Sequence, residues 1–340
     1  MNCYRIITAL LFFITYQCHA QTLHYFINPA DSLWGVKEST GKKIIPAKYD
    51  VSPLYLEQKK PITDSIIIFP VWGRGRHDFT SWSWGDAYDR KGNFLYHPMT
   101  FDNWADFFSE GFSRCVENGK AGFVNIKGVM AIKPQWDWVS PFNYGYAAIC
   151  NDCYWDTGKD KEHPPLAFRD KWFPQYINFK GEIVTPADKP SSGKDQLLEN
   201  GKYLPYPFSY NYYEQQLVDS INKLEVLSKI QFMNYYPEQV TGKEAKLQFE
   251  ITGRPLNGWP YYTLQGYSYS KSYGFMGEDK MEFLVHIDGT MYNYYSFSNI
   301  TTPYMEWLNE KLQECKEFFN NHPDAPNKFD VDKYIRETRK

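Results

Sequence analysis

Along the first half of the chain, short β-rich runs are punctuated by glycines at a recurring distance, which predicts a series of hairpins. Phe123-Val124-Asn125-Ile126 and Val129-Met130-Ala131-Ile132 flank Lys127-Gly128 in this way. Comparable runs surround Gly41, Gly92 and Gly181, and a proline follows each glycine five or six positions later. Three of the copies then reach an aromatic-Asp pair: Tyr49-Asp50, Phe101-Asp102 and Trp136-Asp137. A turn with positive φ is accommodated most cheaply by glycine. Proline cannot donate to a ladder, so it is expected to end the second strand of each hairpin. A single hairpin cannot bury its apolar face, so the copies must stack, with atypical members at the ends.

Beyond residue 206 the periodicity changes. Leu217, Ile221, Leu224, Val226, Leu227 and Ile230 recur at helical spacing and predict one helix over 213–234. Strands follow over 245–251, 261–269, 281–287 and 291–297, with Asp288-Gly289 as a hairpin turn. Thr301-Thr302-Pro303 has the grammar of a helix start, and the stripe Met305, Leu308, Leu312, Cys315 and Phe319 gives that helix one apolar face. Asp188-Lys189-Pro190-Ser191-Ser192-Gly193 is polar and rich in turn formers, which marks a linker. The expected fold is a mainly β N-terminal hairpin-repeat array followed by an α+β domain. The boundaries are 1–20 for a signal segment, 21–190 for the array, 191–205 for the linker and 206–340 for the C-terminal domain.

Trp34-Gly35 stands seven and six residues ahead of the first turn glycine, and Gly119-Lys120-Ala121-Gly122 keeps that frame with Ala121 in the tryptophan's place. Trp84-Gly85 lies one residue out of register with Gly92. A second element, Phe108-Ser109-Glu110-Gly111-Phe112, returns 34 residues later as Phe142-Asn143-Tyr144-Gly145-Tyr146. On these residues the chain resembles the WG-repeat (KWG-repeat) family over roughly residues 24–190. The resemblance implies a β-rich repeat array of a kind often exported by bacteria; it brings no shared catalytic residues and no single function. In the second half, Tyr236-Pro237-Glu238 ahead of a strand, and the Asp-Gly hairpin ahead of a helix, are similar to the carboxyl-terminal domain of TonB-type transducers. A long insertion interrupts the order, and that similarity implies partner binding by strand addition.

The amino terminus has the form of a secretory signal: Arg5, an apolar run over 6–16, then Cys18-His19-Ala20 as a cleavage site. Thr15-Tyr16-Gln17 lacks the small residue that acylation of Cys18 would require, so cleavage is favoured over a lipid anchor. The mature chain is expected in the periplasm or outside the cell, with no membrane-spanning segment. A formal charge of −3 argues against a nucleic-acid surface.

Aromatic residues make up 19% of the chain; they either fill repeat positions and pack across strands, as Trp34, Phe123, Trp136 and Tyr176 would, or stand exposed to stack on sugars or grip a partner, and packing is the favoured reading. Trp72, Trp82 and Trp84 fall between the first two copies, outside the repeat frame, and form the candidate contact surface. Among the cysteines, Cys150 and Cys153 are spaced for a local disulfide or remain as thiols. Cys115 and Cys150 are expected on different sheet faces, and Cys315 on an apolar helix stripe. No phosphate loop, zinc motif or nucleophile elbow occurs, and no cofactor is implied. Asp137 could suggest a glycosidase carboxylate, but its match to Asp50 and Asp102 assigns it to a turn. The expected function is an exported, non-enzymatic binding or scaffolding module for a protein or glycan partner in the cell envelope. Glycan binding through exposed Trp and Tyr is the first alternative, and a carbohydrate-active enzyme with unidentified carboxylates the second.

Overall fold

A computed structural model describes residues 22–51, 56, 58, 60–70, 83, 85–101, 104–156, 158, 166–168, 175–234, 245–296 and 300–337. The expected signal segment, Cys18, and the candidate surface Trp72, Trp82 and Trp84 lie outside the described residues. The chain divides into two compact units, one ending at Thr63 and one beginning at Asp64. That division falls inside the segment expected to be a single repeat domain.

The first unit holds copy one as an antiparallel sheet of β1 (Leu23–Ile27), β2 (Trp34–Glu38) and β3 (Lys43–Tyr49), in chain order. Its core contains Leu23, Trp34, Val36, Ile45 and Tyr49. Trp34 lies directly opposite Tyr49 across the pair.

In the second unit copy two is β4 (Ile66–Pro70), β5 (Gly85–Asp89) and β6 (Phe94–Tyr96), followed by the short pair β7 (Thr100–Phe101) and β8 (Trp104–Ala105). Copy three is β9 (Phe112–Glu117), β10 (Lys120–Asn125) and β11 (Met130–Trp136). Copy four begins with β12 (Trp138–Val139) and β13 (Tyr146–Cys150). A side hairpin of β14 (Cys153–Trp155) and β15 (Leu166–Phe168) precedes its remaining strands, β16 (Gln175–Asn178) and β17 (Ile183–Val184). Each glycine-centred hairpin is thus extended by a third strand. In copies three and four the Phe-x-x-Gly element is the turn that leads into it.

The four turn glycines all have positive φ, at 91° for Gly41, 85° for Gly92, 69° for Gly128 and 77° for Gly181. The residue three positions earlier closes the turn. Asn125 Oδ1 accepts from the amides of Lys127 and Val129 at 3.0 and 3.1 Å, and Asp89 and Asn178 do the same in their copies.

Pro98 and Pro186 follow the ends of β6 and β17 as expected, whereas the prolines of copies one and three depart from expectation. Pro46 and Pro134 sit inside β3 and β11, not at their ends. The register shifts there, between Trp34 and Val36 in one copy and between Ala121 and Phe123 in the other, so a bulge takes up the missing N–H. Gly35 and Gly122 face these bulges. A Cβ on Gly122 would lie 2.5 Å from both Ile132 O and Pro134 N, which explains the glycine of the Trp-Gly pair.

Stacking follows one rule. A Cβ at the turn of copy three, Gly128, would meet Leu95 of copy two at 2.7 Å; at the turn of copy four, Gly181, it would meet Ile132 of copy three at 3.0 Å. At Gly41 it would meet nothing within 4 Å.

Residues 191–205, expected as a linker, carry the two-stranded β18 (Gln196–Leu197) and β19 (Tyr203–Leu204). Asp195 fastens this segment. Its carboxylate accepts from both hydroxyls of Ser191 and Ser192, at 2.8 and 2.7 Å, and from three backbone amides, which holds its pKa down to about 2 against the opposing effect of burial.

The expected helix over 213–234 is two helices, α1 (Tyr212–Asn222) and α2 (Glu225–Gln231). Asn211 and Glu214 form a capping box at the start of α1. At its end the Asn222 side chain turns to the neighbouring backbone, bonding both the amide and the carbonyl of Phe249 at 2.9 and 3.0 Å. Asn222 therefore ends a helix and closes the edge of a sheet.

That sheet is antiparallel and five-stranded: β20 (Gln248–Gly253), β21 (Tyr261–Ser270), β22 (Gly274–His286), β23 (Met291–Tyr295) and β24 (Ile300–Pro303), in chain order. The Thr301-Thr302-Pro303 segment forms its edge strand rather than a threonine cap. Thr301 and Thr302 pair with Tyr294 and Asn293, and Pro303 precedes the helix with no side-chain cap. The helices α3 (Tyr304–Asn321) and α4 (Val331–Glu337) follow, the second of them absent from the periodicity.

Phe249, Ile251, Leu264, Phe283 and Val285 face the helices and join Leu227, Leu312 and Cys315 in one core. The alternate residues Glu250, Gln265 and Glu282 stand in register on the opposite face and are also buried. That second face lies against the turns that open copies three and four.

Candidate functional site

The two Phe-x-x-Gly elements build matching turns. Glu110 and Gly111 have φ of 53° and 82°, and Tyr144 and Gly145 have 50° and 78°. Reciprocal backbone bonds close each one, Ser109 with Phe112 and Asn143 with Tyr146, as in a two-residue hairpin with both central residues left-handed. A non-glycine residue in that region costs roughly 1–2 kcal/mol, so each of these side chains must be held by something.

Glu110 is held by the next turn. Its carboxylate accepts from the amides of Tyr144 and Gly145 at 2.6 and 2.9 Å, and from the hydroxyl of Tyr267 on β21. It is only 3% exposed. Burial pushes its pKa up to about 7, and the three donors oppose that shift. One carboxylate thus joins two successive array turns to the C-terminal sheet.

Tyr144 is held by aromatic packing. Its ring stacks on Phe275 at 4.3 Å and meets Tyr267 and Phe208 edge-on at 5.0 and 5.3 Å. Its hydroxyl donates to Lys194 O at 2.9 Å. Two amide side chains complete the junction. Gln196 accepts from Phe275 N at 2.8 Å and donates to Phe275 O at 3.2 Å, while Asn143 donates to Phe275 O and accepts from Gly277 N. They serve the start of β22 as a neighbouring strand would.

Two more carboxylates line the same sheet face. Glu250 accepts from the hydroxyls of Tyr206 and Tyr210 at 2.6 and 2.5 Å and from Gln248, with Lys194 Nζ at 3.6 Å. Glu282 is pushed up to about 8 by burial, opposed by a hydrogen bond from Ser296 and reinforced by the charge of Glu110. Carboxyls raised in this way could serve as proton donors in an open cleft. Here both oxygens of Glu110 already accept from the chain, so its geometry suits holding two layers together.

The residues singled out in the sequence fall elsewhere. Cys150 and Cys153 are joined as a disulfide, with Cα atoms 6.1 Å apart. Cys115 and Cys315 are buried free thiols, pushed up to about 12 and about 11 chiefly by burial. Asp137 pairs with Lys120 at 2.5 Å and accepts from Asp152 N at 2.6 Å, which fixes the turn between the disulfide cysteines. Among the described residues, no three His, Cys, Asp or Glu side chains converge to hold a metal. No described helix is long and apolar enough to cross a membrane. Glu110 was the residue sequence reasoning passed over. The signal was present in the 34-residue match of Glu110-Gly111 with Tyr144-Gly145, two non-glycine residues ahead of turn glycines.

Residues 122–155 match the family described as WG containing repeat. The matched stretch starts at the bulge glycine Gly122, includes the turn at Gly128, Pro134 and Trp136, and runs to the end of β14. The chain therefore carries a WG-containing repeat that spans the second half of copy three and the opening strands of copy four. No curated protein and no solved structure matches the chain.

Proposed function

We propose that the protein is an exported, non-enzymatic binding or scaffolding module for another macromolecule in the cell envelope. The observation that carries this reading is the use of Glu110. The carboxyl with the most catalytic-looking environment is consumed in fastening a repeat array to a second layer. Copies two, three and four stack through their turns and leave exposed positions free to vary, the usual arrangement for recognition. The signal-like amino terminus supports export.

The test uses the full-length protein in its native host. Mass spectrometry of the secreted or periplasmic fraction should find a mature chain beginning at Gln21. Affinity capture from envelope extract should then recover a partner whose binding is reconstituted with purified components. A chain that stays cytoplasmic and uncleaved contradicts export, and turnover of an envelope polysaccharide by the purified protein contradicts the non-enzymatic assignment.

A further inference from the structure

At one end of the five-stranded sheet three rings gather around Tyr261. Trp259 lies 5.1 Å from Tyr261, Tyr261 lies 5.1 Å from His286, and Tyr261 meets Tyr292 edge-on at 6.2 Å. The strand register explains the grouping. Tyr261 pairs with His286, and one row inward Thr263 pairs with Leu284, which in turn pairs with Tyr292. Thr263 and Leu284 are buried, whereas the four ring residues are half-buried. The sheet face that the array covers therefore emerges here as an aromatic ledge.

The array also braces the ledge. Leu256 and Trp259 exchange backbone bonds around a turn at Asn257-Gly258, where Gly258 has φ 77°. Asn257 O accepts from Lys127 Nζ, next to the turn glycine of copy three. Trp259 thus stands on a turn tied down by the repeat.

Two features select the ligand's chemistry. Among the described residues, the indole N–H of Trp259 and the hydroxyls of Tyr261 and Tyr292 have no protein hydrogen-bond partner, so donors and acceptors ring an apolar surface. Beside them the Lys127 ammonium is engaged on the carbonyl of Asn257, and the exposed carboxylate of Asp288 lies 2.9 Å from His286 Nδ1, where it repels an anion. An anionic polymer needs free cations to replace its counterions. A neutral sugar needs flat rings for its C–H face and polar atoms at the rim for its hydroxyls.

We infer that this ledge binds a neutral carbohydrate chain, with Trp259 and Tyr261 as the stacking platform. The inference rests on the binding reading above and names a site and ligand class for it.

The test is calorimetric titration of the full-length mature protein with cellohexaose, xylohexaose, maltohexaose and chitohexaose, alongside amide shift mapping of the unmutated protein. At least one hexasaccharide should bind with Kd below about 1 mM, and the perturbed amides should centre on residues 259, 261, 286 and 292. Trp259→Ala and Tyr261→Ala should each weaken binding at least about tenfold with an unchanged melting temperature. Absence of binding at about 10 mM for all four probes, or shifts centred elsewhere, overturns the inference. Reconstituted binding of a purified envelope protein that Trp259→Ala leaves intact, together with silent glycans, would sink the ledge and leave the broader binding reading standing.

Discussion

The two faces of the C-terminal sheet are both buried, one by apolar packing alone and one with a polar network added to it. Toward α1–α4 the sheet presents Phe249, Leu264 and Phe283, and its stability there comes from apolar area removed from water. Toward the array it presents Glu250, Gln265 and Glu282 beside Tyr267 and Phe275, and the contact joins matched donors and acceptors around Glu110, Glu250 and Asn143 to the aromatic packing of Tyr144. The apolar face tolerates small shifts of its partner. The polar face does not, because each displaced group would leave a buried atom unsatisfied. A polar layer of this kind fixes how the repeat copies sit on the sheet.

The largest expected effect belongs to the apolar face. Phe283→Ala should cost about 4 kcal/mol in urea unfolding, by the same amount at every pH. Glu110→Ala should cost about 3 kcal/mol, because two backbone amides and the Tyr267 hydroxyl lose their acceptor together. A cost below about 1 kcal/mol would mean that water replaces the carboxylate easily and that the polar face specifies little.

The faces should also separate by pH. The ordinary value for both Glu110 and Glu282 is 4.5, while folded they hold their protons up to about 7 and about 8. Between those limits the folded state binds more protons than the unfolded chain, so stability falls as pH rises. Their contribution is fully present below 4.5 and lost as pH passes about 8. Glu110→Gln should flatten the part of that decline that ends near pH 7, measured as melting temperature against pH, and Phe283→Ala should leave its slope unchanged.

The smallest difference concerns the array itself. Gly41→Ala and Gly128→Ala both place a side chain at positive φ, for roughly 1–2 kcal/mol. Only Gly128 has a neighbour to displace, Leu95 of copy two, so its variant should be the less stable by about 1 kcal/mol more. Equal losses would deny that the copies stack through their turns.

Much of this was legible in the sequence. The turn glycines needed positive φ, and the helical stripes and Asp288-Gly289 marked the apolar layer of the second half. The polar face was not legible, since alternation on a strand looks the same whether the polar side meets water or a polar partner. Glu110 was hidden for a related reason: the 34-residue repeat marks the two turns, but which carboxylate oxygen meets which amide, and the bond to Tyr267 157 residues away, are set by tertiary packing. Thr301-Thr302-Pro303 satisfied the rules for a helix start, yet β-branched threonines suit an edge strand equally well, and pairing with β23 decided the matter. Pro98 and Pro186 end their strands as the rule requires, but Pro46 and Pro134 do not, because a bulge, invisible without its partner strand, makes room for them inside β3 and β11.

The most direct measurement of the central claim, that one buried carboxylate joins two repeat turns to the sheet, is amide hydrogen exchange at Tyr144 and Gly145. In the unmutated protein both amides should exchange only through large-scale opening, as slowly as the central residues of β21. In Glu110→Ala both should exchange faster, by about a hundredfold or more, with the loss of protection spreading to Phe275 and Gly277 on β22. Unchanged protection at Tyr144 and Gly145 in that variant would contradict the account.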